Sequence, residues 1–358
     1  MPIELTFPIL MKEGPGEETV KIGNPQAMDP AIHRILYMRT DRIGDVLMNL
    51  PAIRLLRQTF PKAWITVMLD ESVADLLKGH PDLDEILPVR SGEIKKSHRY
   101  RAALVKKLRT ARFDLGVASN PDKFLHAILF FSRIPRRVGY DRKWPLFLTD
   151  KAPADKAGDN GPHEIDKNLR LVSLVTNQSW DGVLSLSADP VAKKFIEDRI
   201  DREHPGPVRI IAVHPGTSNP DKRWSEACFA ELCDKIQSDQ SLGVVLIGGP
   251  EEAASSKSVA NKMKNRVADW TGSLNLKQLA ALFHHPKVKL IVSADSGPAH
   301  IAWIAGTPAV ILYAKNTTGS DPRRWGPRDK KSEVIYKPMS EITVEEVYAA
   351  ARKVLQLR

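Results

Sequence analysis

From about residue 33 the chain alternates short, β-branched apolar runs with longer stretches whose apolar residues recur at helical spacing. In the first half this pattern predicts strands at Ile35–Met38, Trp64–Leu69, Glu85–Val89, Asp114–Ala118 and Arg137–Tyr140. Between them it predicts helices at Gly44–Thr59, Ser72–Lys78, Lys96–Thr110 and Lys123–Ser132. Strands alternating with helices of this length build βαβ units and a parallel sheet. The rhythm breaks in the polar stretch Thr149–Pro162, returns as a helix at Glu164–Val175, and breaks again over Thr176–Pro190. It restarts with strands at Val208–Val213, Val244–Gly248, Val267–Asp269, Lys289–Ser293 and Ala309–Tyr313. The helices among these are Ser225–Gln237, Glu251–Lys264, Asn275–His284 and Gly297–Ala305, with Val344–Leu357 closing the chain.

The expected architecture is therefore α/β, with two Rossmann-like doubly wound domains facing a central cleft. We place them at residues 31–190 and 191–358, with the junction within 176–207, and treat the Pro/Gly-rich residues 1–30 as an extension. A length of 358 residues suits two domains of about 150 residues each. No apolar run is long enough for a membrane-spanning helix, and the N-terminus lacks the basic and apolar regions of a secretion signal. Cys228 and Cys233, five apart in one predicted helix, form neither a disulfide framework nor a zinc site. The expected compartment is the cytosol.

Charge adds a further feature. The chain carries a net +10, and nine Lys and Arg fall between Arg90 and Arg112 against the single acid Glu93. A second basic group follows at Arg133, Arg136, Arg137, Arg142 and Lys143. Such a run reads either as a solvated helix face or as a patch for an anionic partner: a membrane leaflet, a phosphorylated or carboxylated acceptor, or nucleic acid. No RNA- or DNA-binding signature accompanies it, so nucleic acid is not expected.

In doubly wound sheets ligands bind beyond the carboxyl ends of the strands, which directs attention to the loops there. The first strand runs into Arg39-Thr40-Asp41-Arg42-Ile43-Gly44-Asp45. Gly44 permits a tight turn or a close approach. Asp45 reads as a helix cap or as a general base at the cleft. The strand at Val208–Val213 leads into His214-Pro215-Gly216-Thr217-Ser218-Asn219-Pro220-Asp221-Lys222, a polar loop whose amides, hydroxyls and lysine suit a phosphate. Its spacing is not that of a Walker loop, and His214 reads equally well as structural. In Asp295-Ser296-Gly297-Pro298-Ala299-His300, the amides that open the helix would face an anion. There Asp295 either meets a sugar hydroxyl or fixes the turn, and His300 by default packs. At Gly248-Gly249-Pro250-Glu251-Glu252 the acids either bind a ribose diol or complement the helix dipole.

Together these segments resemble the ADP-heptose:lipopolysaccharide heptosyltransferases, glycosyltransferase family 9, of GT-B fold. The carriers are RTDRIGDVLMNLPAIRLLRQTFP, HEIDKNLRLV, HPGTSNPDKRW, VVLIGGPEE, DWTGSLNLKQLAALF and SADSGPAHIAWIAGTPAVILY, spread from Arg34 to Pro327. The resemblance implies an inverting, metal-independent enzyme without a cofactor. It would transfer from ADP-heptose, or another nucleotide sugar, to an anionic lipid-linked saccharide such as lipopolysaccharide core. It also implies work at the inner leaflet of the inner membrane by a peripheral cytoplasmic protein. By position, Asp45 resembles the catalytic base, and Lys222, with Thr217 and Ser218, the group that holds the donor diphosphate. Asp295, Ser296, Gly297 and His300 match the D-[ST]-G-x-x-H motif that lines donor phosphate and sugar. Glu251 or Glu252 would meet the ribose, and the backbone near Leu274 the base. Arg39, Arg42, Lys95, Lys96, Arg99 and Arg136 are expected on the acceptor side. Two other readings stay open: a same-fold transferase or epimerase with another nucleotide sugar, and a non-catalytic saccharide- or nucleotide-binding protein.

Overall fold

Ile35, Leu36, Tyr37 and Met38 are all fully buried, so β1 (Arg34–Met38) has no face toward solvent and needs a partner on each side. It finds them in β2 (Trp64–Asp70) and β4 (Leu115–Ala118), with Tyr37 level with Val67 on one side and Val117 on the other. In this computed structural model, residues 32–154, 161–315 and 317–356 are described. The expected extension at 1–30 and the predicted last residue of the final helix, Leu357, lie outside them.

With β3 (Glu85–Val89), β5 (Arg136–Tyr140) and β6 (Asp150–Ala152), the first sheet has the order β3-β2-β1-β4-β5-β6, and every pair is parallel. The second comprises β7 (Arg209–His214), β8 (Leu242–Leu246), β9 (Ala268–Asp269), β10 (Val288–Ala294), β11 (Ala309–Ala314) and β12 (Glu333–Lys337). Its order is β12-β11-β10-β7-β8-β9, again all parallel. Counted from its own first strand, each sheet runs 3-2-1-4-5-6, the doubly wound order. Each therefore reverses direction beside its first strand, at β1/β4 and at β7/β10, and leaves a crevice at the carboxyl ends there.

The two crevices meet. The helix Ile43–Leu47, which follows β1, lies against the helix Gly297–Ala305, which follows β10. A Cβ on Gly44 would stand 2.6 Å from His300 Cδ2, so this contact requires a glycine. Val46 and Leu47 from one half share a continuous apolar core with Ala299, Ala302 and Trp303 from the other.

Several elements depart from the predicted pattern. The helix expected at Gly44–Thr59 is two helices, Ile43–Leu47 and Leu50–Thr59, because Pro51 has no N–H for the Leu47 carbonyl and its ring crowds that carbonyl. The helix expected at Lys96–Thr110 runs from His98 to Ala111, started by the Ser97 hydroxyl accepting from the Tyr100 amide, and an unpredicted short helix, Ser91–Lys96, precedes it. The unpredicted β6 and β12 are edge strands: β6 has three residues and β12 alternates toward solvent. The helix Pro190–Glu203 was unpredicted because its buried positions are only Ala192, Ile196 and Ile200. It packs on the helix Leu276–His284 and so belongs to the C-terminal half.

Candidate active site

Arg39 leaves β1 at the first crevice and is 6% exposed. A guanidinium so buried needs all its donors satisfied. Its Nε meets Asp41 Oδ1 at 2.7 Å, Nη2 meets Asp45 Oδ1 at 2.7 Å, and Nη1 donates to the Ser119 carbonyl at 3.0 Å. Ser119 follows β4, so one side chain spans the reversal point of the sheet and pins two carboxylates over it. Burial disfavours the Arg39 charge, but Asp41, Asp45 and Glu164 outweigh it and hold the group more firmly protonated than usual. Burial also raises Asp41, to about 6, against the pull of Arg39 and with a push from Asp45. Asp45 is fixed from behind as well, because the Asn49 amide donates to its carbonyl at 2.6 Å while Asn49 Oδ1 accepts from the Tyr37 hydroxyl.

This corrects the expectation for Arg39. Its charge is consumed within the protein, so it positions Asp41 and Asp45 and presents no free cation to an acceptor. Arg136 needs the same correction: it is committed to Asp150 at 3.2 Å and to the Leu174 carbonyl at 2.9 Å. Arg42, Lys95, Lys96 and Arg99 are exposed. The last three sit beyond the carboxyl end of β3 and outside the Arg39 cluster.

The second crevice gathers Lys222, Asp295 and His300. Asn219 caps the short turn Pro220–Lys222 by accepting from the Asp221 amide, and this aims Lys222 inward. Lys222 Nζ lies 2.6 Å from Asp295 Oδ2 and donates to the Gly319 carbonyl at 3.1 Å. The Trp303 indole N–H donates to His300 Nδ1 at 3.3 Å. That leaves His300 Nε2 to carry the proton, 3.4 Å from Asp295 Oδ1. Burial would raise Asp295, but the His300 and Lys222 side chains against it outweigh that and hold the carboxyl below its usual range. Because His300 also touches Gly44, the chain Asp45, Gly44, His300, Asp295, Lys222 crosses from one half to the other through direct contacts and adjacent residues.

A third group lines the wall between β7 and β8. His214 Nε2 lies 2.9 Å from Glu252 Oε2, and that oxygen also accepts the Gly249 amide at 2.8 Å. On its other side His214 Nδ1 lies 3.0 Å from Ser293 Oγ and 3.2 Å from Ser296 Oγ. Of the two acids, Glu252 turns inward, and a Cβ on Gly216 would fall 2.2 Å from its Oε1; Glu251 is exposed. Ser296 points its hydroxyl at Ser293 and His214 and does not cap the following helix. The first amides of that helix are thus left without a side-chain cap. Thr217 closes a local turn with Asn219, Ser218 is exposed, and Leu274 is half-buried against the core. Sequence reasoning did not give roles to Trp303, Asn49, Ser119 or Ser293. For Trp303 the spacing of three from His300 on one helix was the available signal. Among the described residues no three His, Cys, Asp or Glu side chains are arranged to hold a metal ion.

Lys222, His300 and Asp295 thus gather at an uncapped helix start that adjoins the loop carrying Asp45. The family profile of glycosyltransferase family 9 (heptosyltransferase) matches residues 101–349. The chain belongs to that family. This family 9 glycosyltransferase is 26% identical over 320 residues to lipopolysaccharide heptosyltransferase 2 of Salmonella typhimurium, a match that covers 84% of the chain and 87% of the relative. The glycosyl transferase family 9 structure from Veillonella parvula superposes with a TM-score of 0.81 at 22% identity, over 93% of this chain and all of that one. The E. coli ADP-heptose lps heptosyltransferase II structure gives 0.75 at 24% identity, over 90% and 99%. The fold of this glycosyltransferase is thus the GT-B arrangement of two facing α/β domains.

Proposed function

We propose that this glycosyltransferase moves a heptose from ADP-heptose to a lipopolysaccharide-core saccharide, by a single displacement that inverts the anomeric centre and needs no metal ion. The observation that carries the reading is the direct connection from Asp45 across the domain contact to Asp295 and Lys222. The names of the relatives supply the sugar and the acceptor class.

In this mechanism the donor diphosphate sits at the start of the Gly297–Ala305 helix. Lys222 turns from Asp295 toward the phosphate oxygens, and the uncapped amides add the helix dipole. As the anomeric bond lengthens, these groups stabilise the charge that develops on the leaving diphosphate. Asp295, relieved of Lys222, keeps His300 as its partner. Asp45, held by Arg39, takes the proton of the acceptor hydroxyl as that oxygen bonds to the anomeric carbon from the opposite face. Glu252 Oε1, beside Gly216, accepts from the ribose hydroxyls, while Thr217, Ser218 and the backbone near Leu274 bound the nucleotide. Arg42, Lys95, Lys96 and Arg99 give the N-terminal half a positive rim for an anionic, lipid-linked acceptor at the inner leaflet. Among the described residues no helix is long and apolar enough to cross a membrane, and this reading has the protein work from the membrane surface.

Thermal stabilisation by ADP, ADP-heptose, UDP and GDP tests the donor. Selective stabilisation by the ADP ligands, lost in Lys222→Ala, is expected. No shift with any of them in the native chain would sink the donor assignment.

A further inference from the structure

Apolar side chains on a surface helix normally face the core. The helix Lys123–Phe131 buries Leu125, Ile128 and Leu129 that way, yet its opposite face is apolar too. Phe130 and Phe131 are 42% and 52% exposed, and beside them Trp144 and Leu146 reach 45% and 70%. The rings form a continuous strip, with centroids 6.3 Å apart from Phe124 to Trp144, 6.0 Å from Trp144 to Phe147, 5.0 Å from Phe147 to Phe130 and 5.3 Å from Phe130 to Phe131. A connected exposed patch of this kind marks an interaction surface.

The charge around the strip says what covers it. From Arg90 to Thr149 the sequence holds fifteen Lys and Arg against four Asp and Glu. This stretch alone therefore accounts for the chain's whole net charge. Arg101 lies 4.4 Å over the Phe124 ring, Lys123 is 5.3 Å over Trp144, and Arg137 is 5.5 Å over Phe130. A cavity of about 430 Å³ at the Phe130–Phe131 end is ringed by Arg109, Arg133 and Arg137. Among the described residues none of these five cations is paired with a carboxylate; Arg101, Arg109 and Arg137 donate to backbone carbonyls instead. Aromatic rings interleaved with unpaired cations fit the interface of an anionic bilayer, where rings settle at headgroup depth and cations meet lipid phosphates.

We propose that this face seats the enzyme on an anionic lipid bilayer, with Phe130, Phe131, Trp144 and Leu146 entering the interface and Arg109, Arg133 and Arg137 on lipid phosphates. The strip starts just beyond Ser119, whose carbonyl holds Arg39. The strip runs from the crevice end of this helix at Phe124 to its opposite end at Phe131, on the half that carries Asp45, so a protein seated this way works at the surface where a lipid-linked saccharide is held. The inference deepens the lipid-linked acceptor reading and rests on it for its purpose, but binding is measured without substrates.

The test is co-sedimentation of the full chain with vesicles of phosphatidylcholine alone and of phosphatidylcholine with about a third phosphatidylglycerol. Partition onto the anionic vesicles should exceed that onto the neutral ones by about tenfold or more. Phe131→Ser with Leu146→Ser, and separately Arg109→Gln with Arg133→Gln, should each lower it by about tenfold. Both double variants should keep their stabilisation by ADP and their turnover of a short water-soluble acceptor. Brominated lipid should quench part of the native fluorescence, and that part should vanish in Trp144→Phe. Equal partition onto the two vesicles, or native partition in both double variants, would overturn the proposal. So would a concentration-dependent dimer that Leu146→Ser abolishes in a protein that ignores vesicles, because the strip would then join two copies of the chain. Failure here leaves the transferase reading intact if ADP still stabilises the protein. Vesicle binding without any response to nucleotide sinks that reading and leaves this one standing.

Discussion

Arg39 holds Asp41 and Asp45 with one buried guanidinium, and the two acids therefore sense each other. When pH falls through about 6, the raised value of Asp41, Asp41 takes a proton and leaves Arg39 to Asp45 alone. Asp45 is then held more tightly by Arg39. We expect kcat/KM to decline below that pH, and Asp41→Asn, which fixes the neutral state, to be lowered already at neutral pH and to lose the step near 6. Stability follows the same group. Between the ordinary carboxyl value near 4 and about 6, the folded state keeps a proton that the unfolded chain has released. Stability therefore falls as pH rises through this window, and Asp41→Asn should flatten that slope in urea titrations. Lys222→Ala should reduce kcat by roughly 10²–10³-fold, the range seen on removing one preorganised charge-stabilising group, and should also lower the melting midpoint, because buried Asp295 is left with His300 as its partner. Gly44→Ala puts a methyl where His300 Cδ2 stands 2.6 Å away. It should depress turnover while leaving vesicle binding unchanged, measured on the same preparation.

At the level of elements, periodicity read best where a strand or helix is buried on its own terms. β3 and the helix Gly297–Ala305 have the bounds expected of them, and β1, whose four residues Ile35–Met38 are fully buried, differs by one residue. It read worst where neighbours supply the reason, as for the edge strands β6 and β12 and for the helix Pro190–Glu203, whose apolar stripe is matched only by the helix it covers. The site divides the same way. Asp45, Lys222, Asp295 and His300 lie in loops after strands, where topology places ligand residues, so local sequence was enough to single them out. The role of Arg39, the inward turn of Glu252 and the setting of His214 depend on partners 38 to 80 residues away, which no local pattern encodes. One element also carries a pH signal. His163 begins the helix Glu164–Val172, accepting the Ile165 amide at 3.1 Å and donating from Nε2 to the Gly326 carbonyl at 2.9 Å. Burial, and then the Arg328 charge, lower it to about 4. The unfolded chain takes up this proton near pH 6.5, so stability drops as pH falls from there toward 4, by at most about 3 kcal/mol. His163→Gln should lose that acid slope in thermal melts.

Over the whole molecule, the halves are joined by more than the Gly44–His300 contact. The helix Glu164–Val172 packs on Leu50–Thr59 of the first half, while its acids reach the second. Glu164 accepts from Arg324 Nε at 2.7 Å and Asp166 from Arg328 Nη1 at 2.7 Å. Because Glu164 is buried, Arg324→Ala leaves it, among the described residues, with Lys167 as its remaining ion-pair partner and should cost about 1–3 kcal/mol, lowering the melting midpoint by several degrees. With Arg328→Ala added, calorimetry should resolve two transitions where the native chain shows one.

The long reach of these ties also sets an order of events in the cell. Each sheet is built from crossovers, so β1 must wait for β4 about 80 residues on, and the first sheet closes only when β6 has left the ribosome. The Arg324 and Arg328 partners follow some 160 residues after Glu164 and Asp166. During synthesis, then, the first half stands folded and alone for several seconds, its aromatic strip exposed and its basic face complete. The nascent chain is ready to meet a bilayer before it has a donor site to use there.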